Sequence, residues 1–125
     1  MATALEEIAD DCEKAGITLI LSTPNFGAAR GDTNKADVKF GPKILEVAKE
    51  KGVLGVNLSG LGYADYTASG SNKEYWSKNF NVYFSGAQQD DLHLSYFGAM
   101  KNASLVAQAI YDAQMILKML NWQKH

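Results

Sequence analysis

The chain has one histidine away from its C-terminus, His93, and an aspartate, Asp90, stands three residues before it. In a turn, an Asp and a His at this spacing can point to the same side, so that the carboxylate holds the imidazole in one tautomer and stabilises its protonated form. Such a pair supplies a base and its orienting acid to a hydrolytic site. The polar residues from Gln88 to Asp91 predict a loop here. On spacing alone, the simpler interpretation is a solvated loop acid beside a loop histidine.

The first part of the chain has the pattern of a helix followed directly by a strand. Apolar residues at helical spacing predict an amphipathic helix over residues 3–15, which Gly16 stops. Residues 17–22 form a short apolar, β-branched run of strand length, and it ends in the turn signal Thr23-Pro24-Asn25. A helix that leads directly into a nearly all-apolar strand predicts a parallel strand covered on both faces.

The same order then occurs a second time. A second helix is predicted from near Pro42, which suits a first turn, to Lys51, and Gly52 stops it. A second apolar strand is predicted over residues 53–58. The polar loop of residues 25–35 would lie at the carboxyl end of the first strand, where open α/β sheets place their sites.

Glycines and aromatic residues interrupt the second half of the chain up to its last helix. For residues 59–89 we predict two short helices, near residues 63–68 and 73–78, joined by loops. From Ser95, a candidate N-cap, a long helix is predicted, and one apolar stripe of this helix should cover the sheet. The stripe comprises Ala99, Ala103, Val106, Ala107, Ile110, Ala113, Leu117 and Leu120.

Composition bounds the class of protein. The 125 residues suit one domain, and 46% hydrophobic with 21% charged residues is typical of a globular protein. The 12 basic and 14 acidic residues are interspersed and give a net charge of −2, so we expect no binding to nucleic acid or to an anionic membrane.

Cys12 is the single cysteine, which excludes an internal disulfide and a Cys/His metal motif. The sequence shows no export signal and no long apolar run of the length that spans a membrane.

Two short motifs and the aromatic residues have simpler explanations than a site. Gly60-Leu61-Gly62 follows a predicted strand, but the third glycine of a dinucleotide fingerprint would have to be residue 65, which is Asp65. Gly31-Asp32-Thr33 follows a polar loop instead of an apolar strand, and threonine would be an unusual nucleophile there. The aromatic residues between Tyr63 and Phe97 fit core and loop packing, with a sugar-binding platform as the alternative.

The sequence features around the Asp-x-x-His motif resemble those of a known protein family. The specific part of the resemblance is Asp90-Asp91-Leu92-His93, which Ser95, Gly98-Ala99 and Asn102-Ala103 follow. The helix end at Lys14-Ala15-Gly16, the strand with Thr23-Pro24-Asn25, the helix end at residues 48–52 and the strand after it support the comparison. With these features, residues 4–110 resemble the C-terminal half of the SGNH (GDSL-type) hydrolase superfamily, and most closely its rhamnogalacturonan acetylesterase-like branch.

The resemblance implies a fold, a reaction and two site residues. The fold would be a three-layer, flavodoxin-like α/β domain, of which residues 1–125 would form one partial domain with about two parallel strands and flanking helices. His93 would be the general base that activates a serine, and Asp90 would orient it, although Asp91 could be the partner instead. The implied reaction is hydrolysis of an acyl ester, often an acetyl group on a carbohydrate. No metal or organic cofactor is implied, and the full-length family is extracellular.

The chain also departs from the family. No serine block is found among its serines, and this block and the oxyanion-hole residues would lie upstream of residue 1, so the chain alone should not be a competent esterase. Two parallel strands would leave open sheet edges. We therefore expect the upstream half of the domain or a second copy of the chain as a partner. The alternative is a non-catalytic family member that binds carbohydrate or a partner through residues 25–35 and the aromatic region.

Overall fold

The computed structural model describes residues 2–26, 35–72, 81–83 and 89–123. This part of the chain is mixed α/β and mostly helical, with a short parallel pair of strands, which confirms the α/β class. Its elements in chain order are α1 (Ala2–Lys14), β1 (Ile20–Ser22), α2 (Lys35–Lys51), β2 (Leu54–Val56), α3 (Leu58–Ala68), β3 (Asn81–Tyr83), β4 (Gln89–Leu94) and α4 (Tyr96–Gln123).

The same hydrogen-bonded turn ends the helices α1 and α2 and leads each into a strand. Gly16 has φ +69° and Gly52 has φ +66°, a left-handed conformation that glycine adopts without the steric cost other residues meet. The amide of Ile17 donates to Cys12 O at 2.8 Å, and the amide of Val53 donates to Ala48 O at 3.0 Å. Each bond closes a Schellman motif. The prediction that the two glycines stop the helices is confirmed.

The strands β1 and β2 pair in parallel, in the register Ile20↔Leu54, Leu21↔Gly55 and Ser22↔Val56. One face of this pair packs on α2, where Leu21, Val47 and Ala48 form the buried core. A Cβ atom added at Gly55 would lie 3.0 Å from Ala48 Cβ, so the missing side chain lets α2 approach the sheet closely. Both strands are shorter than the six-residue runs that predict them.

The prediction that the sheet is covered on both faces is wrong for β1. Ser22 and Val56 are paired and share the second face of the sheet, because paired residues of neighbouring strands project to the same side. Val56 is 1% exposed, whereas Ser22 is exposed and Ile20, on the same face, is 37% exposed. The helix α4 packs on β2, so this face is covered along β2 and open along β1.

The predicted bounds of α2 and α3 are also corrected. Helix α2 begins at Lys35 and carries Pro42 in its interior, although an interior proline removes one backbone hydrogen bond and Gly41 before it is a poor helix former. Helix α3 begins at Leu58, five residues before the predicted start. The antiparallel pair β3–β4 is not predicted at all. The predicted helix at residues 73–78 and Gly31-Asp32-Thr33 lie outside the described residues.

The apolar stripe predicted for α4 is confirmed at three positions in the middle of the helix. It is wrong towards the helix end and at Ala99, Ala103 and Ala107, whose side chains are exposed. Val106, Ile110 and Ala113 are half-buried, but from residue 114 to residue 121 every side chain is exposed. Leu117 is 61% and Leu120 50% exposed. Within the described ranges, no helix is long and apolar enough to cross a membrane.

Candidate functional site

The carboxyl ends of β1 and β2 are tied together by polar groups. The amide of Thr23 donates to Val56 O at 2.9 Å, one residue beyond the paired strand. The side chain of Thr23 is buried, and its Oγ1 accepts a hydrogen bond from the amide of Ser59 at 3.1 Å. The segment that follows β1 is therefore held against the segment that follows β2.

Asn57 connects β2 to α3 as the N-cap of the helix. Its Oδ1 accepts from the amide of Gly60 at 3.1 Å and from the hydroxyl of Ser59 at 3.3 Å. A side-chain oxygen at this position satisfies a backbone donor of the first helical turn. Sequence reasoning placed Asn57 within a strand, although an asparagine directly after an apolar run is itself an N-cap signal. Ser59 is buried and its hydroxyl is hydrogen-bonded to this cap, so its side chain stabilises the turn between β2 and α3.

An aromatic cluster packs beside these caps. The ring of Phe26 lies 5.6 Å from that of Tyr63 and 5.2 Å from that of Tyr66, measured between centroids. Phe26 and Tyr66 are buried, and the hydroxyl of Tyr66 donates to Ser71 O at 2.8 Å. A Cβ atom at Gly62 would lie 2.7 Å from Phe26 Cβ. The cluster therefore fixes the end of the loop after β1 on α3.

Both predicted site residues, Asp90 and His93, lie in strand β4, so the prediction of a loop is wrong. The strand is irregular: Asn81 pairs with Leu94 and Tyr83 pairs with Gln89, and the register shifts between these pairs. Between these two pairs β3 advances by two residues, from 81 to 83, whereas β4 advances by five, from 89 to 94. Residues 90–93 therefore lie in the part of β4 that has no regular pairing partner in β3. A register shift of this kind leaves the extra residues of the longer strand extended but unpaired.

The structure describes the side chain of His93 but only the backbone of Asp90. The side chain of His93 is exposed to solvent. Asp90 and Asp91 are described by their backbone within β4 and not by their side chains. A contact between the His93 imidazole and either carboxylate therefore stays a prediction.

Helix α4 begins at Tyr96, three residues after His93, and is anchored at its first turns. The Oγ of Ser95 accepts from the amide of Gly98 at 3.1 Å, which confirms Ser95 as an N-cap. Gly98 is buried. In the second turn, Lys101 Nζ lies 2.8 Å from Asp65 Oδ1 of α3. The start of α4 is thus held on the helix that begins at the carboxyl end of β2.

The other end of α4 lies at the opposite end of the strands. There, Ile110 and Leu117 share a groove of about 500 Å³ with Ile17 and Leu19, which precede β1, and with Gly52, which precedes β2. Helix α4 therefore runs back along the strands, and its first turns lie about 20 Å from this groove. The cap residue Ser95, two residues after His93, is therefore at the end of α4 that is remote from this groove.

Two exposed aromatic residues lie beside His93. Tyr96 is 74% and Phe97 70% exposed, so these rings do not belong to the core or loop packing that sequence reasoning preferred for the aromatic residues. Sequence reasoning placed Ala99 and Ala103 on the covered face of this helix, whereas the structure buries Gly98 and half-buries Asn102. Because Gly98 and Asn102 define the inward side, two adjacent aromatic residues just before Gly98 cannot both face inward.

Comparison of the chain with protein-family models, with curated proteins and with solved structures finds no match. The functional interpretation therefore rests on the residue pattern and on the geometry described above.

Proposed function

We propose that this chain is the C-terminal portion of a serine esterase that removes acyl groups, acetyl in particular, from carbohydrate esters. In this proposal His93 is the general base and Asp90 the residue that orients it. The serine comes from a polypeptide segment outside residues 1–125, either an upstream half of the same domain or a second chain. The proposed frame is the three-layer, flavodoxin-like fold of SGNH hydrolases.

The observation that carries the proposal is the position of His93. It is exposed and lies two residues before Ser95, the cap of a helix whose second turn pairs with α3, the helix that follows β2. Open parallel sheets bind their substrates at the carboxyl ends of their strands, where helices such as α3 begin. The Asp-x-x-His motif and the Gly-Ala that follows it in α4 add the resemblance to the hydrolase family.

Each residue has a defined task in the proposed reaction. His93 accepts the proton of the serine hydroxyl while the serine oxygen attacks the ester carbonyl, and it then gives this proton to the departing sugar oxygen. Water, activated by the same imidazole, releases the acid from the acyl-enzyme. A carboxylate at Asp90 keeps the imidazole in the tautomer that presents its unprotonated nitrogen to the serine and balances the positive charge that forms.

The described serine hydroxyls that show contacts serve local structure. Ser22 donates to Thr23 O, Ser69 to Tyr66 O and Ser104 to Lys101 O. A hydroxyl that donates to a neighbouring carbonyl is not aligned with an imidazole base. For these three described serines, the hydrogen bonds argue against a role as the nucleophile.

Acetate release from an acetylated xylo-oligosaccharide tests the proposal. The chain alone should release none above background, and the chain joined to its upstream segment should release acetate. In the joined protein, Asp90→Asn should lower kcat at least about a hundredfold. Asp91→Asn is the matched control one residue away and should leave kcat within about threefold of wild type. The reverse order of the two variants would assign the orienting role to Asp91.

The non-catalytic alternative makes a different prediction for the same experiment. A family member that only binds carbohydrate would release no acetate with or without the upstream segment. It would still bind the oligosaccharide.

A further inference from the structure

We propose that Tyr96 and Phe97 form a carbohydrate-binding platform that presents a sugar residue to His93. The inference rests on the proposed function in so far as the bound sugar is the alcohol part of the ester. As a binding surface, however, the platform is independent of catalysis.

The first observation is the exposure of two large rings side by side. Tyr96 and Phe97 leave 74% and 70% of their surfaces in water, although burial of large aromatic side chains stabilises a folded protein. Single exposed apolar residues are ordinary, whereas a cluster of them next to polar residues marks a binding surface. Here the cluster follows His93 and the cap residue Ser95 in the chain.

The second observation is that the rings stand on an ordered turn. The amide of Ala99 donates to Ser95 O at 2.9 Å and the amide of Gly98 donates to Ser95 Oγ at 3.1 Å. Gly98 is buried, and the ion pair of Lys101 with Asp65 fixes the next turn on α3. A platform whose backbone is already fixed loses little conformational entropy when it binds a ligand.

The third observation is the angle between the rings. Their centroids are 5.9 Å apart and their planes are inclined at 78°. This edge-to-face pair forms a corner and leaves aromatic faces open to solvent. A pyranose ring has one face of C–H groups and a rim of hydroxyls, so it can stack on an aromatic face while its hydroxyls bond polar neighbours such as His93 and Ser95.

The small extent of the apolar surface favours a sugar over a protein partner. After Met100, which is 53% exposed, the next exposed residues of α4 are Ala103, Ser104 and Ala107, which are small. The bulky part of the patch thus ends within the first two turns. Among the described residues of α4, a bulky patch of this length suits one or two sugar residues.

Binding by the full chain tests the platform without any need for catalysis. The probes are acetylated xylohexaose and unacetylated xylohexaose, and calorimetry measures the affinity. The double variant Tyr96→Ala/Phe97→Ala should bind at least about tenfold more weakly than wild type. The conservative variant Tyr96→Phe/Phe97→Tyr should keep most of the affinity, because it keeps both aromatic faces.

Tyr111→Ala is the matched control. Tyr111 is 57% exposed on the same helix, about 20 Å from the platform, and its removal should leave the affinity unchanged. Circular dichroism of all variants checks that α4 is retained. Failure of wild type to bind either probe would overturn the inference, and so would unchanged affinity in the double variant. An alanine double variant that changes the mass of the particle in light scattering and not the affinity would identify a protein interface instead.

The outcomes separate the platform from the esterase. If the alanine double variant loses binding and the joined protein releases no acetate, the platform stands and the esterase proposal fails. If the joined protein releases acetate and the alanine substitutions leave KM unchanged, the esterase proposal stands and the platform fails.

Discussion

At the scale of single residues, close contacts fix the chain around the candidate site. Thr23, Asn57 and Ser59 join the two strand ends by hydrogen bonds, and Gly62 lets Phe26 lie directly on α3. Sequence reasoning found the Asp-x-x-His pair and the cap at Ser95 because both are local patterns. It missed the contact between Phe26 and Gly62, which lie 36 positions apart and meet only through the pairing of β1 with β2.

Gly62→Ala should destabilise the protein by about 1–3 kcal/mol, the usual cost of overpacking. A Cβ atom there would lie 2.7 Å from Phe26 Cβ, so the ring or the helix must shift. In an unobstructed helix position the same change would stabilise the protein by up to about 1 kcal/mol. The sign of the change in unfolding free energy therefore shows whether Phe26 obstructs this position. Urea unfolding followed by circular dichroism measures it, and a stabilised variant would show that Phe26 does not lie on α3.

The ion pair of Lys51 with Asp10 should make a pH-dependent contribution to stability. Lys51 Nζ lies 2.7 Å from Asp10 Oδ1, and the hydrogen bond that Lys51 donates to Asp10 raises the pKa of Lys51 above its ordinary value of 10.5. A raised lysine pKa stabilises the folded state fully below the unfolded pKa, and this stabilisation is lost as the pH rises through the folded pKa. Lys51→Met should therefore lower the urea midpoint at pH 8, and the difference from wild type should shrink near pH 11.

Lys49→Met is the matched control for this pair, because Lys49 is an exposed lysine in the same last turn of α2. Its effect on the midpoint should be equal at the two pH values. A difference between Lys51→Met and wild type that grows with pH would contradict the assignment.

At the scale of elements, the helix ends that lead into strands follow from local chemistry. Gly16 and Gly52 stop their helices as predicted because the Schellman motif needs only a left-handed residue and nearby carbonyls. Pro42 misled the prediction, since a proline that favours a first turn can also be accommodated inside a helix. The pair β3–β4 was not predicted because its register is irregular, and irregular pairing leaves no period of two in the sequence.

Gly52→Ala should destabilise the protein by about 1–2 kcal/mol. The position has φ +66° and open space around a new Cβ atom, so the cost is conformational and not steric. Lys49→Ala in the preceding turn keeps ordinary helical geometry and should stay within about 0.5 kcal/mol of wild type. Thermal unfolding of both variants measures the difference. Equal stability of Gly52→Ala and wild type would mean that the turn between α2 and β2 has another geometry.

At the scale of the whole molecule, the described sheet is narrow and partly uncovered. It has two parallel strands with Ile20 and Ser22 exposed on one face of β1, and α4 exposes Leu117 at the groove and Ile116 and Leu120 outside it. The sequence predicted an incomplete sheet from the number of apolar strands. It could not predict that α4 packs on β2 and leaves Ile20 and Ser22 of β1 exposed, because the same apolar stripe would suit a wider sheet.

The exposed end of α4 should make the isolated chain associate in solution. Apolar side chains in such a number are normally covered in a soluble protein. Leu117→Glu combined with Leu120→Glu should shift the chain to a monomer in light scattering at micromolar concentration. Lys118→Glu lies between them, changes charge and leaves the apolar surface intact, so it should keep the wild-type mass. A wild-type chain that is a monomer with a sharp cooperative melting transition would contradict this prediction.

The central claim is that His93 is the base of an esterase, and one measurement tests it most directly. Acetate release from acetylated xylohexaose is followed with the chain joined to its upstream segment, as wild type and as His93→Ala. The proposal predicts that the substitution lowers kcat about a thousandfold or more while the fold, by circular dichroism, is unchanged. Activity retained within about tenfold of wild type in His93→Ala would contradict it.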